Sequence, residues 1–180
     1  MTRSSSPFQR ILDRSFDALP EPVRRLHSLT TPTAVAGLAD IEVASGLIPS
    51  LVCWLSGLPK SGSDAPVSVE FTPDGRGGEH WARRFGERRY ASSFSTGQRV
   101  SENLLIERFG PFHLEFRLRA SAAGLSWVLV GVACVGIRAP RWAIPKVSCL
   151  ESGEGERFLF DIQAALPLIG PLIHYRGWLA

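Results

Sequence analysis

Hydrophobic and polar residues alternate over most of the chain beyond its first third, as they do in β-strands that bury one face. In the segment 112–119, for example, every second residue is apolar. Short turns rich in glycine separate such segments, as at Gly86-Glu87 and Gly110-Pro111. After a first strand within residues 32–44, the pattern predicts strands at 67–71, 79–85, 88–95, 104–109, 112–120, 125–137, 147–151, 157–165 and 172–179.

These strands predict one long antiparallel sheet. The segment 125–137 is apolar on both faces, so we expect it to form one strand in the middle of the sheet. The segment 59–66 is predicted to be a polar loop. Because a sheet of about nine strands must curl or close to protect its edges, we expect a strongly curved or barrel-like sheet. The predicted fold class is therefore α+β, mainly antiparallel β.

Helical periodicity is confined to the first third of the chain. Ser6-Pro7 is a favourable helix start, and the apolar residues that follow it fall on one helical face until Pro20-Glu21-Pro22 ends the helix. A second short helix is predicted to run as far as Leu29. We therefore expect one domain over residues 1–180, with N-terminal helices in 1–30 and a β-rich body in 31–180.

The segment 46–58 predicts a short helix within the β-rich body that is apolar around much of its circumference. Such a helix must be covered by something, so we expect it to pack on the sheet. It either plugs one end of the β core, forms a lid over an apolar pocket, or contacts a membrane surface.

Charge and cysteine content narrow the functional classes. The net charge is only +3, from 20 basic and 17 acidic residues, and the basic residues form scattered doublets rather than a stripe. This distribution argues against nucleic-acid binding. The three cysteines include no CxxC pair, so no zinc site is expected, and a reducing, cytoplasmic location is the simplest interpretation. The N-terminus does not resemble a signal peptide, and no apolar run is long enough for a transmembrane segment.

Established catalytic motifs are absent from the sequence. It contains no GxGxxG after a strand, no GxxxxGK[ST] and no GxSxG, which argues against nucleotide-dependent enzymes and serine hydrolases. The four histidines lack metal-ligand spacing, so neither a metal nor a cofactor is expected. An enzyme that works through one carboxylate, histidine or tyrosine would leave no such motif, and this class stays open.

Two strands interleave aromatic and charged side chains on one face. Trp81 and Arg83 share a face in the segment 79–85, and His174, Arg176 and Trp178 share one in the last strand. An arginine between aromatic rings can stack on them or clamp an anionic ligand group. The alternative is a structural network of arginine and glutamate that includes Glu107.

The alternating segment 112–119 offers a second candidate site. His113 and Glu115 lie on its polar face, which is either a solvated outer face with cross-strand ion pairs or the lining of a concave sheet. In the second case the two residues could form an acid–base pair. Across the chain, we therefore select Glu107, His113 and Tyr175 as candidate catalytic residues, and Trp54, Trp81, Arg83, Glu115, His174, Arg176 and Trp178 as candidate ligand-binding residues.

Several short motifs, in this order, resemble the bacterial family known as domain of unknown function 4166. They are Phe8–Leu12 with Leu19-Pro20 and Leu26-His27, Trp81–Gly86, Glu107–Pro111, Pro140–Trp142, Phe158–Asp161 and Tyr175–Leu179. The resemblance covers nearly the whole chain. Family members occur alone or fused behind saccharopine-dehydrogenase-like or membrane modules, which implies a role with small molecules but no particular activity.

Three functions fit these observations. The first is binding of a hydrophobic or amphipathic small molecule in a barrel-like pocket. The second is a cofactor-independent cyclase or isomerase of secondary metabolism, which would use the same pocket with acid–base residues. The third is an accessory protein-interaction domain, for which we expect a solidly filled sheet and an exposed apolar helix around Trp54. Peripheral contact with a membrane is compatible with each.

Overall fold

The computed structural model describes residues 5–55, 58–97 and 103–180. The chain forms a closed antiparallel β-barrel of ten strands with one additional short strand, β8, which confirms the predicted barrel-like fold. The strands are β1 Thr33–Val43, β2 Gly62–Pro73, β3 Glu79–Phe85, β4 Arg88–Thr96, β5 Leu104–Phe109, β6 Phe112–Ser121, β7 Gly124–Cys134, β8 Ile137–Arg138, β9 Lys146–Glu154, β10 Arg157–Leu166 and β11 Gly170–Leu179.

Neighbouring strands are hydrogen-bonded in the order β6-β5-β4-β3-β2-β1-β11-β10-β9-β7-β8. A further pairing between β6 and β7 closes the sheet on itself, and this closure leaves no free edge among the ten barrel strands. The helices of the described residues are α1 Pro7–Leu12, α2 Glu21–Leu26 and α3 Leu47–Leu55, with short 3-10 helices at Asp13–Ala18 and Arg141–Ala143.

The two ends of the barrel differ in what covers them. At the end that we call lower, α1 and α2 pack against β4, β5, β6, β9 and β10. At the upper end, the chain makes the turns between β3 and β4, β5 and β6, β7 and β8, and β10 and β11. Helix α3 also lies at the upper end, in the connection from β1 to β2, and contacts β11.

The plug at the lower end follows from the sequence that starts α1. The Ser6 hydroxyl accepts a hydrogen bond from the Gln9 backbone N–H (3.2 Å), and the Gln9 side chain accepts one from the Ser6 N–H (3.0 Å). This reciprocal capping box fixes the first turn of the helix. The Ser6 hydroxyl also donates to the His27 carbonyl oxygen (2.6 Å), so α1 holds the end of α2 in place. As a result, Phe8 is fully buried inside the lower end.

Two details of the predicted strands were wrong. The segment 59–66 is not a loop throughout, because β2 begins at Gly62 and pairs there with Ile41. The segment 125–137 is not one central strand, because β7 ends at Cys134 and a turn leads into β8. In a closed barrel no strand is central, and the outer face of β7 is partly exposed, as Val128 shows.

Candidate functional site

The barrel interior contains a partly open cavity of about 330 Å³. It extends from an aromatic floor near the lower end, formed by Trp81 and Trp127, to the upper end, where Val52 and Leu58 line it. Its walls are mostly aliphatic and aromatic side chains that point inward at alternate strand positions. Protein interiors rarely leave voids much larger than a water molecule, so a space of this size is not a packing defect.

An ion pair lies inside this apolar cavity. Arg83 on β3 and Glu107 on β5 both line it, and Arg83 Nη1 lies 3.6 Å from Glu107 Oε1. Each side chain is only 13% exposed. The strand between them, β4, contributes Ser92, whose hydroxyl accepts a hydrogen bond from Arg83 Nη1 (2.6 Å). The arginine is therefore fixed in position by two partners that come from different strands.

Aromatic rings surround the same guanidinium group. Its carbon atom lies 4.7 Å from the ring centre of Trp81, 5.3 Å from that of Tyr90 and 5.5 Å from that of Phe94. Such distances allow cation–π attraction, which is stronger where water is excluded. Burial alone would lower the pKa of Arg83, but the acidic groups of Tyr90 and Glu107 outweigh burial and raise it. The side chain is therefore a permanent cation.

Two tyrosines and a cysteine complete the polar part of the wall. The hydroxyl oxygens of Tyr90 and Tyr175 lie 3.5 Å apart. Burial is the largest cause that raises the pKa of Tyr175 well above its ordinary value, and the neighbouring Tyr90 is the second. Burial also raises the pKa of Cys149, and the Glu151 carboxylate raises it further. Both groups therefore stay protonated at neutral pH, so Tyr175 can donate a hydrogen bond to a ligand.

A second polar cluster lies at the cavity floor. His27, at the end of α2, donates from Nε2 to Glu151 Oε2 on β9 (2.6 Å), and both side chains are buried. The imidazole lies 3.8 Å from the ring centre of Phe8. Glu151 also lines the cavity. This cluster therefore connects the helical plug to the floor of the cavity.

Glu79, at the start of β3, is 3% exposed and interacts electrostatically with His27 and Glu151, but it does not line the cavity. His27 Nδ1, Glu79 Oε1 and Trp127 Nε1 find no hydrogen-bond partner among the described residues. Burial is the largest cause that raises the pKa of Glu79, to about 7, and the Glu151 carboxylate adds to it, whereas His27 and Trp81 act in the opposite direction. Glu79 is thus a buried carboxyl group that changes charge near neutral pH.

The raised pKa of Glu79 predicts that stability falls as the pH rises. Below its ordinary pKa of 4.5, Glu79 is protonated in both the folded and the unfolded chain, and burial carries no penalty from its charge. Between pH 4.5 and about pH 7 the unfolded chain loses the proton while the folded chain keeps it, so the unfolded state becomes more stable relative to the folded state. The full difference corresponds to about 3 kcal/mol.

This pH effect can be measured by denaturant unfolding at pH 5 and pH 8. We expect the Glu79→Gln variant to lose most of the decrease that the wild-type chain shows, because glutamine cannot ionise. The exposed Glu87→Gln variant is the matched control and should keep the wild-type decrease. An unchanged pH dependence in Glu79→Gln would show that another group causes it.

The structure brings four of the predicted site residues to the cavity and places others elsewhere. Trp81, Arg83, Glu107 and Tyr175 line the cavity. His113 is exposed on the outer face of β6, as are the arginines on its polar side. The neighbouring Glu115 forms an ion pair with Arg138 outside the cavity, which agrees with the solvated-face interpretation of this strand.

The last strand presents its predicted polar face to the outside of the barrel. His174 Nε2 lies 3.0 Å from Asp161 Oδ1, and both side chains are about one-third exposed or more. Trp178 stacks under the Arg157 guanidinium group at 4.3 Å, and Arg176 is exposed. None of this face lines the cavity. The side chain of Trp54 lies outside the part of the chain that the structure describes.

Sequence reasoning missed several polar residues of the interior. Tyr90 could have been found, because the predicted turn at Gly86-Glu87 sets the hairpin register that pairs it with Arg83. Glu79 could also have been found, because it lies on the same face of its strand as Trp81 and Arg83. No local signal indicates that His27 and Glu151, which are 124 positions apart, meet in the core.

Comparison with known proteins gives a family but no characterised relative. No curated protein and no solved structure matches the chain. In the described residues, no helix is long and apolar enough to cross a membrane, and no group of three or more His, Cys, Asp or Glu side chains is placed to hold a metal ion. The sequence model of one family matches residues 19–179, which include most of the motifs on which the resemblance rested. The chain therefore belongs to the family described as Domain of unknown function (DUF4166).

Proposed function

We propose that the barrel binds a hydrophobic or amphipathic small molecule in its cavity. The observation that carries this proposal is the fixed Arg83–Glu107 pair inside a mostly apolar space of about 330 Å³. Ligand pockets in proteins are mostly apolar, have volumes from roughly 300 Å³ upward, and contain a few polar groups that orient the ligand. A charge pair costs desolvation in an apolar cavity, and a ligand group that hydrogen-bonds to the pair reduces this cost.

The arrangement of donors indicates the chemistry of the ligand. The guanidinium of Arg83 has five N–H donors, and Ser92 and Glu107 contact only part of this group. Because Glu107 already balances its charge, the site suits a carbonyl or hydroxyl oxygen better than a second carboxylate. The Tyr175 hydroxyl, which stays protonated and lies 3.5 Å from the Tyr90 hydroxyl, adds one more donor near the same group. The ligand is thus an apolar molecule with one or two oxygen-bearing groups.

Filling the cavity tests this proposal directly. The Ala164 side chain lines the cavity, so Ala164→Trp should occupy part of the space and weaken binding of an apolar fluorescent probe such as 1-N-phenylnaphthylamine by roughly tenfold or more. Ala91 on β4 is exposed on the outer wall, so Ala91→Trp is the matched control and should bind the probe as the wild type does. Equal binding by the two variants would contradict the proposal.

Native mass spectrometry of the wild-type chain identifies the natural ligand. A bound mass that disappears under denaturing conditions, and that Ala164→Trp does not carry, supports binding in the cavity. An accessory interaction domain would instead have a solidly filled barrel, and the cavity gives no support to that alternative.

The floor cluster favours a cofactor-independent isomerase or cyclase as the second candidate. Glu151 lines the cavity, is bonded to His27, and lies beside Glu79, whose pKa is about 7. In such a reaction Glu151, the member of the cluster that lines the cavity, removes a proton from one carbon of the ligand and returns the same proton to another carbon. The atoms balance without a cofactor.

Deuterium exchange separates an enzyme from a carrier. The molecule that co-purifies with the chain would be incubated with the protein in D₂O and analysed by mass spectrometry. An enzyme of this kind incorporates deuterium at carbon, and Glu151→Gln should reduce the rate by roughly a hundredfold while the ligand stays bound. Binding without any incorporation would leave the chain a carrier.

A further inference from the structure

Large apolar side chains are exposed mainly at the upper end of the barrel. Of the nine that are exposed among the described residues, only Val128 and Leu150 lie on the side wall. The other seven, which we call the apolar rim, are Leu47 and Leu51 on α3, Val135 and Ile137 at the β7–β8 turn, Trp142, and Leu168 and Ile169 at the β10–β11 turn. Because they follow one another around half of the barrel, they form one apolar patch rather than isolated exposed residues.

The tips of the apolar rim project far from the barrel. Leu168 is 98% exposed, Leu47 91% and Val135 79%. These exposed side chains lie on separate turns, so they can insert together into a fluid apolar phase. Such insertion does not require a partner surface of complementary shape. They lie at the end to which the ligand cavity extends, where Val52 of α3 lines the cavity.

The backbone at two of these tips is unfavourable for the residues that occupy it. Val135 has a φ of 50° and Leu168 a φ of 63°, in the left-handed region that suits glycine or asparagine. A β-branched residue such as valine is especially disfavoured there. Backbone strain of this kind often marks a functional position. At both tips an apolar side chain is present although glycine or asparagine would fit the backbone better.

Basic residues occupy the other half of the upper end. The β3–β4 turn with its flanks contains Arg84, Arg88 and Arg89, and the end of β5 contains Arg108, whereas Glu87 is the acidic residue of these turns. Four arginines and one glutamate give this region a net charge of +3. Three of the arginines, Arg84, Arg89 and Arg108, are exposed, so their charge is available to a partner.

We propose that the upper end docks on a lipid membrane that carries anionic headgroups. The apolar rim enters the boundary between headgroups and acyl chains, and the arginine region binds the anionic headgroups beside it. Apolar burial combined with electrostatic attraction is how peripheral proteins hold to such surfaces. In this orientation the cavity extends toward the lipid, the phase in which an apolar ligand dissolves.

Sedimentation of the full chain with vesicles tests the proposal. We expect binding to vesicles of phosphatidylcholine mixed with phosphatidylglycerol, weaker binding to phosphatidylcholine alone, and a decrease with added salt. The double variant Val135→Asn/Leu168→Asn should bind the mixed vesicles at least roughly tenfold more weakly. Its resistance to denaturant should equal or exceed that of the wild type, because asparagine tolerates the left-handed backbone. Arg84→Gln and Arg89→Gln should each weaken binding by about fivefold.

The matched control is Val128→Thr/Leu150→Thr, which removes the exposed apolar residues of the side wall and should leave vesicle binding unchanged. The proposal is wrong if the wild type does not sediment with anionic vesicles, or if the double asparagine variant sediments equally well. It is also wrong if the wild type forms a dimer that this variant abolishes, without vesicle binding, because the rim would then join two copies of the chain. Vesicle binding does not require an occupied cavity, so its failure would not contradict ligand binding.

Discussion

Replacing Glu151 by alanine is expected to destabilise the folded chain by about 3–5 kcal/mol, because it removes one partner of a buried pair. Glu151 is 3% exposed and accepts a 2.6 Å hydrogen bond from His27, which is fully buried. Without the carboxylate, His27 would lose its hydrogen-bond partner between Phe8 and the aromatic floor. The imidazole cannot reach water without opening the helical plug, so the loss would appear as a lower free energy of unfolding in denaturant titrations.

A set of related variants distinguishes the lost pair from other effects. Glu151→Gln keeps an acceptor for His27 and should cost only about 1–2 kcal/mol. Glu154→Ala, on the exposed end of the same strand, should leave stability nearly unchanged. In a double-mutant cycle with His27→Ala, the two losses should not add, because both single variants break the same contact. Strictly additive losses would show that the two side chains stabilise the fold independently.

The sequence was informative wherever local rules decide the structure. The capping box at Ser6 and Gln9 starts α1 where Ser6-Pro7 predicted a helix. The turns at Gly86 and Gly110 have positive φ and set the registers of their hairpins, and the first places Arg83 opposite Tyr90. Strand positions followed the alternation closely, because each strand buries one face against the same core.

The predictions failed where a non-local contact or a strained turn determines where a strand begins or ends. The polar start of β2 is a strand because it pairs with β1, which no pattern within 59–66 indicates. Val135 makes a left-handed turn that its residue type disfavours, so the apolar run through it wrongly predicts one continuous strand. The alternation alone does not predict which face of each strand points into the barrel, because this depends on the pairing of β6 with β7 that closes the barrel.

The candidate site shows the same division. Arg83 and Glu107 could be selected because charged residues among aromatic ones at alternate strand positions are unusual in an ordinary core. Their meeting across β4 depends on two registers: the turn at Gly86-Glu87 predicts the register of β3 and β4, whereas no predicted turn sets that of β4 and β5, where Glu107 pairs with Phe94. His174 and Arg176 have similar neighbours in the sequence but face outward, because the alternation of β11 directs Tyr175 inward. The alternation identifies which side chains share a face of a strand, and only the closure of the barrel determines which of these faces points inward.

The pairing of β1 with β11 depends on glycine, and we expect Gly37→Ala to destabilise the fold severely. Gly37 pairs with Leu179, and a Cβ at position 37 would lie 1.8 Å from the carbonyl oxygen of Trp178. On the facing strand, a Cβ on Gly177 would meet the Leu38 carbonyl oxygen at 2.2 Å. The two strands therefore approach more closely than side chains allow, as glycines at barrel corners permit.

Because the obstacle at position 37 is backbone, no rotamer change relieves it, and the cost should exceed the usual 1–3 kcal/mol of overpacking and reach about 4 kcal/mol. The matched control is Gly62→Ala at the start of β2, where a Cβ would meet no atom within 4 Å. We expect the control to unfold at the wild-type denaturant concentration or slightly above it, since alanine restricts the unfolded chain more than glycine does. If Gly37→Ala unfolded at the same denaturant concentration as Gly62→Ala, the strands would have room to separate, and the barrel would not require the close approach of β1 and β11.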